Sequence, residues 1–298
     1  MISKAREATP GPFSFGHEAV AEVADAGPAA GVVPGQRVVV PFQLSCGRCG
    51  NCLRGLTNSC SAYPFAAAYG LPTSGTDFGG ALADLMRVPF ADHMLVALPD
   101  GVDPVHAARA CDNIADGWRG VADHLKARPG ASVLVVGGLA QSVGLYAAGS
   151  AVALGASRVL YLDDDAGRRG RAAAMGAIAE ALSLGEGRAP KEQFDIVVEA
   201  AGLPDALGFS IQSTAPNGVL TSVSMYFGAT TPVPLTRAYL KGITWHTGRV
   251  HSRAVLPDVL GCMACGRLHP EHVTHRVLPF AEAGDAMIDA GPKLIFTP

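Results

Sequence analysis

Four cysteines fall within a single stretch of this chain, CGRCGNCLRGLTNSC, at Cys46, Cys49, Cys52 and Cys60. Thiolates this close together on a glycine-rich loop can supply the four soft corners of a closed tetrahedral zinc site. Gly47, Gly50 and Gly55 are expected to let the backbone curl around the ion. A chance cluster and two local disulfides are the competing readings. The other three cysteines, Cys111, Cys262 and Cys265, lie far off, and an odd total arranged this way does not suit a secreted disulfide framework. A closed four-thiolate site has no open coordination position, so it braces a lobe and does no chemistry.

Bulk properties narrow the class of protein. The length of 298 residues allows two domains with real cores, and 49% apolar against 16% charged residues fits a soluble α/β chain. The net charge of −3 gives no reason to expect nucleic acid or an anionic membrane as partner. No apolar run is long enough to span a bilayer, and the first residues lack the apolar segment of a secretory signal, so the cytoplasm is the default compartment.

The middle of the chain carries a different signature. An apolar strand at 132–136 leads into a turn opened by Gly137 and Gly138, a helical stretch follows to about Leu154, and a second strand at 158–162 ends at Asp163. That order is the first half of a doubly wound dinucleotide-binding domain, with the turn amides and the helix end facing a pyrophosphate. If Gly137 is the first glycine of the turn, Leu139 takes the second place, and the turn runs two residues long before Gly144. Asp163 is expected to accept hydrogen bonds from the adenosine ribose hydroxyls and repel a 2′-phosphate, which favours NAD over NADP. The alternation continues with a strand at 194–202, a helix at 205–215 and a strand at 217–225.

Taken in order, FGHEAVAEV (15–23), PGQRVVV (34–40), the cysteine lobe, the dinucleotide core and VTHRVLPFAEA (273–283) resemble the zinc-containing, medium-chain alcohol dehydrogenase family over essentially the whole chain. The resemblance implies a split, β-rich GroES-like catalytic domain, 1–112 plus 246–298 with its zinc lobe at 46–60, around a Rossmann NAD-binding domain at 113–245. It implies a second, catalytic zinc held by His17 and Asp112, with Glu18 supporting or transiently binding it. Asp112 is placed by counting back from Gly117 and Trp118, and a one-residue shift of register would offer Cys111 instead. Phe42 matches a substrate-pocket aromatic, and Arg168 and Lys293 match cofactor-contacting cations. The expected activity is hydride transfer between an alcohol, or an aldehyde or ketone, and NAD(H), in a dimer or tetramer acting on small molecules. A catalytically impaired member that keeps the structural zinc and binds dinucleotide without turnover is the alternative. A zinc-ribbon interaction module is a weaker third, since the chain has no basic face.

One departure stands out. The family's first catalytic ligand is a cysteine roughly twenty to thirty residues before the Gly-His-Glu, a distance this chain does not have ahead of His17. The GroES-like domain is thus expected to be N-terminally incomplete, with a start codon further upstream a simpler explanation than a naturally shortened protein. Elsewhere, Cys262 and Cys265 are expected to pack as small thiols on one face of a helix. His269, His272 and His275 are read as a surface connection, with His275 nearest the interior, and His93 and His106 carry no partner pattern.

Overall fold

The computed structural model describes residues 14–71, 77–184, 192–288 and 293–298. Near the start, β1 (Ala19–Glu22), β2 (Arg37–Val40) and β3 (Val96–Ala97) form an antiparallel sheet in that order. Its buried side chains, among them Val23, Val38, Val40, Leu44 and Tyr69, make a small core of their own.

The larger sheet holds β4 (Ser132–Val136), β5 (Arg158–Asp163), β6 (Ile178–Ala181), β7 (Phe194–Glu199), β8 (Thr214–Ser222) and β9 (Thr244–Thr247). Their spatial order is β6-β5-β4-β7-β8-β9, with every neighbouring pair parallel. The order reverses beside β4, which is where an open α/β sheet leaves a crevice for a ligand. Strands covered on both faces read as unbroken apolar runs, and β4 shows why. Val133 and Val135 face the core that contains Tyr146 and Leu256, while Leu134 and Val136 face the opposite core around Leu207 and Ile211.

Three departures from the sequence reading are local. β8 begins at Thr214 and ends at Ser222, because pairing with β7 resumes across an irregularity between Phe194 and Ile196 where Asn217 takes φ 57°. The Pro-Asn-Gly run that marks a strand boundary in sequence is here absorbed inside the strand. In the helix Ser252–Ala264, Cys262 is buried and Cys265 is the exposed cap residue, so only the first of the two thiols is packed. His275 is exposed, and Pro270 opens a short 3-10 helix, Pro270–Val273.

A helix Asn113–Arg119 joins the two regions and packs on the helix Gln141–Ala153. Gly117 sits at their closest approach, where a Cβ would lie 2.6 Å from the Ala147 nitrogen. Late in the chain, β10 (Arg276–Pro279) pairs in parallel with β11 (Leu294–Thr297), and Lys293, just before β11, reaches Glu18. No helix among the described residues is long and apolar enough to cross a membrane.

Candidate active site

The cysteine lobe is built locally. Cys49 caps the helix Gly50–Leu53, its sulfur accepting from the Cys52 amide at 3.5 Å, and the Cys46 amide points at the Cys60 sulfur at 3.3 Å. Gly47 and Gly55 take φ of 72° and 78°, the left-handed turns that glycine permits, whereas Gly50 lies inside the short helix. His93 supports the lobe from outside, packing against Gly47 and sharing a hydrogen bond with Ser45 at 3.1 Å.

All four sulfurs lie within 4.8 Å of one another. The Cys49 and Cys60 sulfurs are 3.9 Å apart, close to the tetrahedral edge of about 3.8 Å that Zn–S bonds of about 2.3 Å require. The donor set therefore fits zinc. Burial pushes the Cys52 thiol up to about 12, while amide hydrogen bonds, led by that of Cys52, draw Cys49 down to about 5.

The second site assembles over long sequence separations. His17 Nε2 lies 3.0 Å from Asp112 Oδ2, with the His17 ring 5.6 Å from that of Phe42. Asp112 stands at the junction of a 3-10 helix, Ala108–Cys111, and the helix Asn113–Arg119. The neighbouring Cys111 is turned away and fully buried, its sulfur near the carbonyls of Ala108 and His17, and burial pushes its thiol up to about 12. Imidazole nitrogen and carboxylate oxygen are both good zinc donors, so the pair is chemically suited to the ion.

Glu18 is occupied elsewhere. Its Oε1 accepts the Asn113 backbone N–H at 3.0 Å, satisfying an otherwise orphaned donor at the helix start, and its Oε2 is ion-paired with Lys293. Lys293 also donates to Asn113 Oδ1 at 3.0 Å. The structure thus joins His17, Asp112 and Phe42, and joins Glu18 with Lys293 beside them. Among the described residues, the four cysteines are the cluster in which three or more metal-binding side chains converge.

The glycine turn after β4 is tied to the ends of the two flanking strands, β5 and β7. The Gly137 amide donates to the Leu162 carbonyl, and the amides of Leu139 and Ala140 donate to Ala201 and Ala200. The helix Gln141–Ala153 has Ala140 at its cap, with no side-chain cap bond, which leaves its positive end to an anion. Gly144 packs against Ala200 one turn into that helix. A Cβ on Gly137 would overlap the Asp163 carboxylate, and one on Gly138 would lie 2.7 Å from the Ala201 backbone.

Asp163 is fully buried. Its carboxylate accepts from Tyr161 Oη at 2.6 Å, Arg168 Nε and Nη2 at 2.8 and 2.7 Å, and the Asp165 amide at 2.9 Å. Burial by itself raises this carboxyl, but the bonds from Arg168 and Tyr161 outweigh it and hold the group below its ordinary value. Tyr161 escaped sequence reading, although its position two residues before Asp163 puts both on one strand face. Asn113, Ser142 and the buried Glu199–Tyr226 pair at the end of β7 also went unread, for want of any motif.

Comparison with known proteins identifies the family. Residues 1–100 match the family described as "Alcohol dehydrogenase GroES-like domain", and residues 142–264 match "Zinc-binding dehydrogenase". A probable zinc-binding alcohol dehydrogenase of Mycobacterium tuberculosis is 31% identical over 280 residues, covering 91% of this chain and 70% of that protein. The chain belongs to the zinc-containing medium-chain alcohol dehydrogenase family. An alcohol dehydrogenase from Thermus sp. ATN1 superposes with a TM-score of 0.86 at 31% identity, over 99% of this chain and 90% of that one. A Sinorhizobium meliloti protein solved with NADP bound shares the fold at a TM-score of 0.80 and 23% identity, over 97% and 84% of the two chains. Medium-chain alcohol dehydrogenase membership makes this protein an oxidoreductase, and its α/β architecture is the family's GroES-like and Rossmann pair.

Proposed function

We propose that this protein is an NAD-dependent, zinc-assisted dehydrogenase interconverting a small alcohol and its aldehyde or ketone. The observation that carries the reading is the meeting of His17 and Asp112, 95 residues apart in sequence, beside the ring of Phe42. His17 and Asp112 would hold the catalytic zinc, whose chemistry there is Lewis-acid polarisation of the substrate oxygen. Cys46, Cys49, Cys52 and Cys60 would hold the bracing zinc.

The chain's own groups do the rest. Phe42 gives the pocket an apolar wall that excludes water and seats the carbon skeleton of the substrate. Gly137 and Gly138 keep side chains out of the turn, so a pyrophosphate can approach the start of the helix Gln141–Ala153. Lys293, held beside Glu18 and Asn113 with burial drawing its amine down to about 7, would be the basic residue on the cofactor side. Asp163 and Arg168 would meet the adenosine ribose once Arg168 swings off the carboxylate, whose oxygens also hold Tyr161 and the Asp165 amide, and the freed acid would favour NAD. A homo-oligomer in the cytoplasm completes the reading.

One observation favours a second reading, an impaired member that binds dinucleotide without turnover. With Glu18 committed to Lys293 and Asn113, the converging pair at the working site is His17 and Asp112. Zinc content of the purified chain, read with NADH formation on a panel of alcohols, separates the two. Two zincs per chain with turnover is the expected result. One zinc, with NADH binding and no turnover, would sink the catalytic reading in favour of the second. Tighter binding of NADPH than of NADH would overturn the cofactor assignment alone.

A further inference from the structure

We propose that Asn113 is a positioning residue that aims the Asp112 carboxylate at His17 and ties it to the dinucleotide helix and to Lys293. The inference rests on the reading of His17 and Asp112 as metal ligands, and assigns a part to a side chain that reading does not use.

Four hydrogen bonds converge on Asn113. Its Nδ2 donates to Asp112 Oδ2 at 2.7 Å, the same oxygen that faces His17. Its Oδ1 accepts from Ser142 Oγ at 2.6 Å and from Lys293 Nζ at 3.0 Å. Its backbone N–H donates to Glu18 Oε1 at 3.0 Å. The partners dictate the amide's orientation: a flip would set N–H groups against an ammonium and an oxygen against a carboxylate.

The consequence is mechanical. A carboxylate ligand swings about its terminal torsion unless a donor holds one oxygen, and outer donors of this kind tune ligand geometry and metal affinity. Asn113 provides such a donor without introducing a competing charge. Its acceptor side is fastened to Ser142, which lies in the first turn of the helix that follows the glycine turn. A continuous path, Ser142 to Asn113 to Asp112 to His17, therefore runs from the cofactor's phosphate end to the working metal. Through this path, dinucleotide and metal are expected to strengthen each other's binding, reciprocally.

The test uses the full chain loaded with Co2+, reading metal content per chain, the d–d spectrum of the second site and its affinity. Asn113→Leu keeps the backbone N–H and side-chain size but removes both amide functions. It is expected to keep the metal on the four cysteines and a near-wild-type melting curve. At the second site it should lose about 10- to 100-fold in affinity, with an altered cobalt spectrum. Ser142→Ala should weaken the second site less, and adding it to Asn113→Leu should cost nothing further. Should Asn113→Leu fold poorly, Asn113→Ser must show the same selective loss. If wild type holds two metals and the folded variant holds both with unchanged affinity and spectrum, the positioning role is overturned alone. If wild type holds a single metal, the parent reading falls, and this inference with it.

Discussion

Asp163 and Arg168 show how much a single buried contact is asked to do. The carboxylate is fully enclosed and the guanidinium grips both of its oxygens. Removing the cation strands a buried charge, so Arg168→Ala is expected to cost about 3–5 kcal/mol at neutral pH, measurable by urea denaturation. The folded carboxyl lies below its unfolded value. Its contribution is therefore complete above roughly pH 4 and is lost as pH falls through the folded value. The gap between wild type and Arg168→Ala should accordingly narrow in acid; a gap constant down to pH 2 would exclude the ion pair as its source. At the working site, His17→Ala and Asp112→Ala are each expected to lower zinc from two per chain to one, leaving the cysteine-bound ion. Elemental analysis decides this, and a variant that still carries two would remove that residue from the ligand set.

At the scale of elements, the contact that sets the cleft is the crossing of helices Asn113–Arg119 and Gln141–Ala153. Glycine at 117 lets the backbones touch, and the added methyl of Gly117→Ala would press on Val143 and Ala147. Overpacking of this kind is expected to destabilise the fold by about 1–3 kcal/mol, and because Asp112 and Ser142 ride on these two helices, dinucleotide affinity should fall with it. A thermal melt and an NADH titration check both; a stable variant with unchanged binding would show that the crossing can relax. The elements themselves were largely legible. Strands β4, β5 and β7 appear as apolar runs because they are covered on both faces, and the turn after β4 announces itself by Gly137 and Gly138. β8 was misjudged at both ends, since its bounds depend on pairing with β7 across Asn217, and pairing is not written in a strand's own residues.

For the whole molecule, the lobe and the sheets are expected to respond separately to metal loss. Thiolates must shed protons to bind zinc, and burial pushes the Cys52 thiol up, so zinc affinity falls as pH falls. A chelator in mild acid should release the lobe's zinc and open residues 46–60 to protease, while far-UV circular dichroism from the six-stranded sheet persists. Collapse of both signals together would mean that the lobe braces far more than itself.

What the sequence determined alone was the lobe at Cys46, Cys49, Cys52 and Cys60 and the doubly wound order of strand, turn and helix. Both are short-range: ligands a few residues apart close on one another, and hydrophobic period reveals the elements, whatever surrounds them. Tertiary structure decided the rest. The approach of Asp112 to His17, the turning of Glu18 toward Lys293 and the place of Asn113 between them join positions 95 to 275 residues apart. The sealing of Asp163 by Arg168 spans only five residues, but its burial comes from the sheet and helix closing over it. Such contacts form only when separately encoded elements dock, and the side chain that wins each hydrogen bond is the one the docked geometry brings within reach.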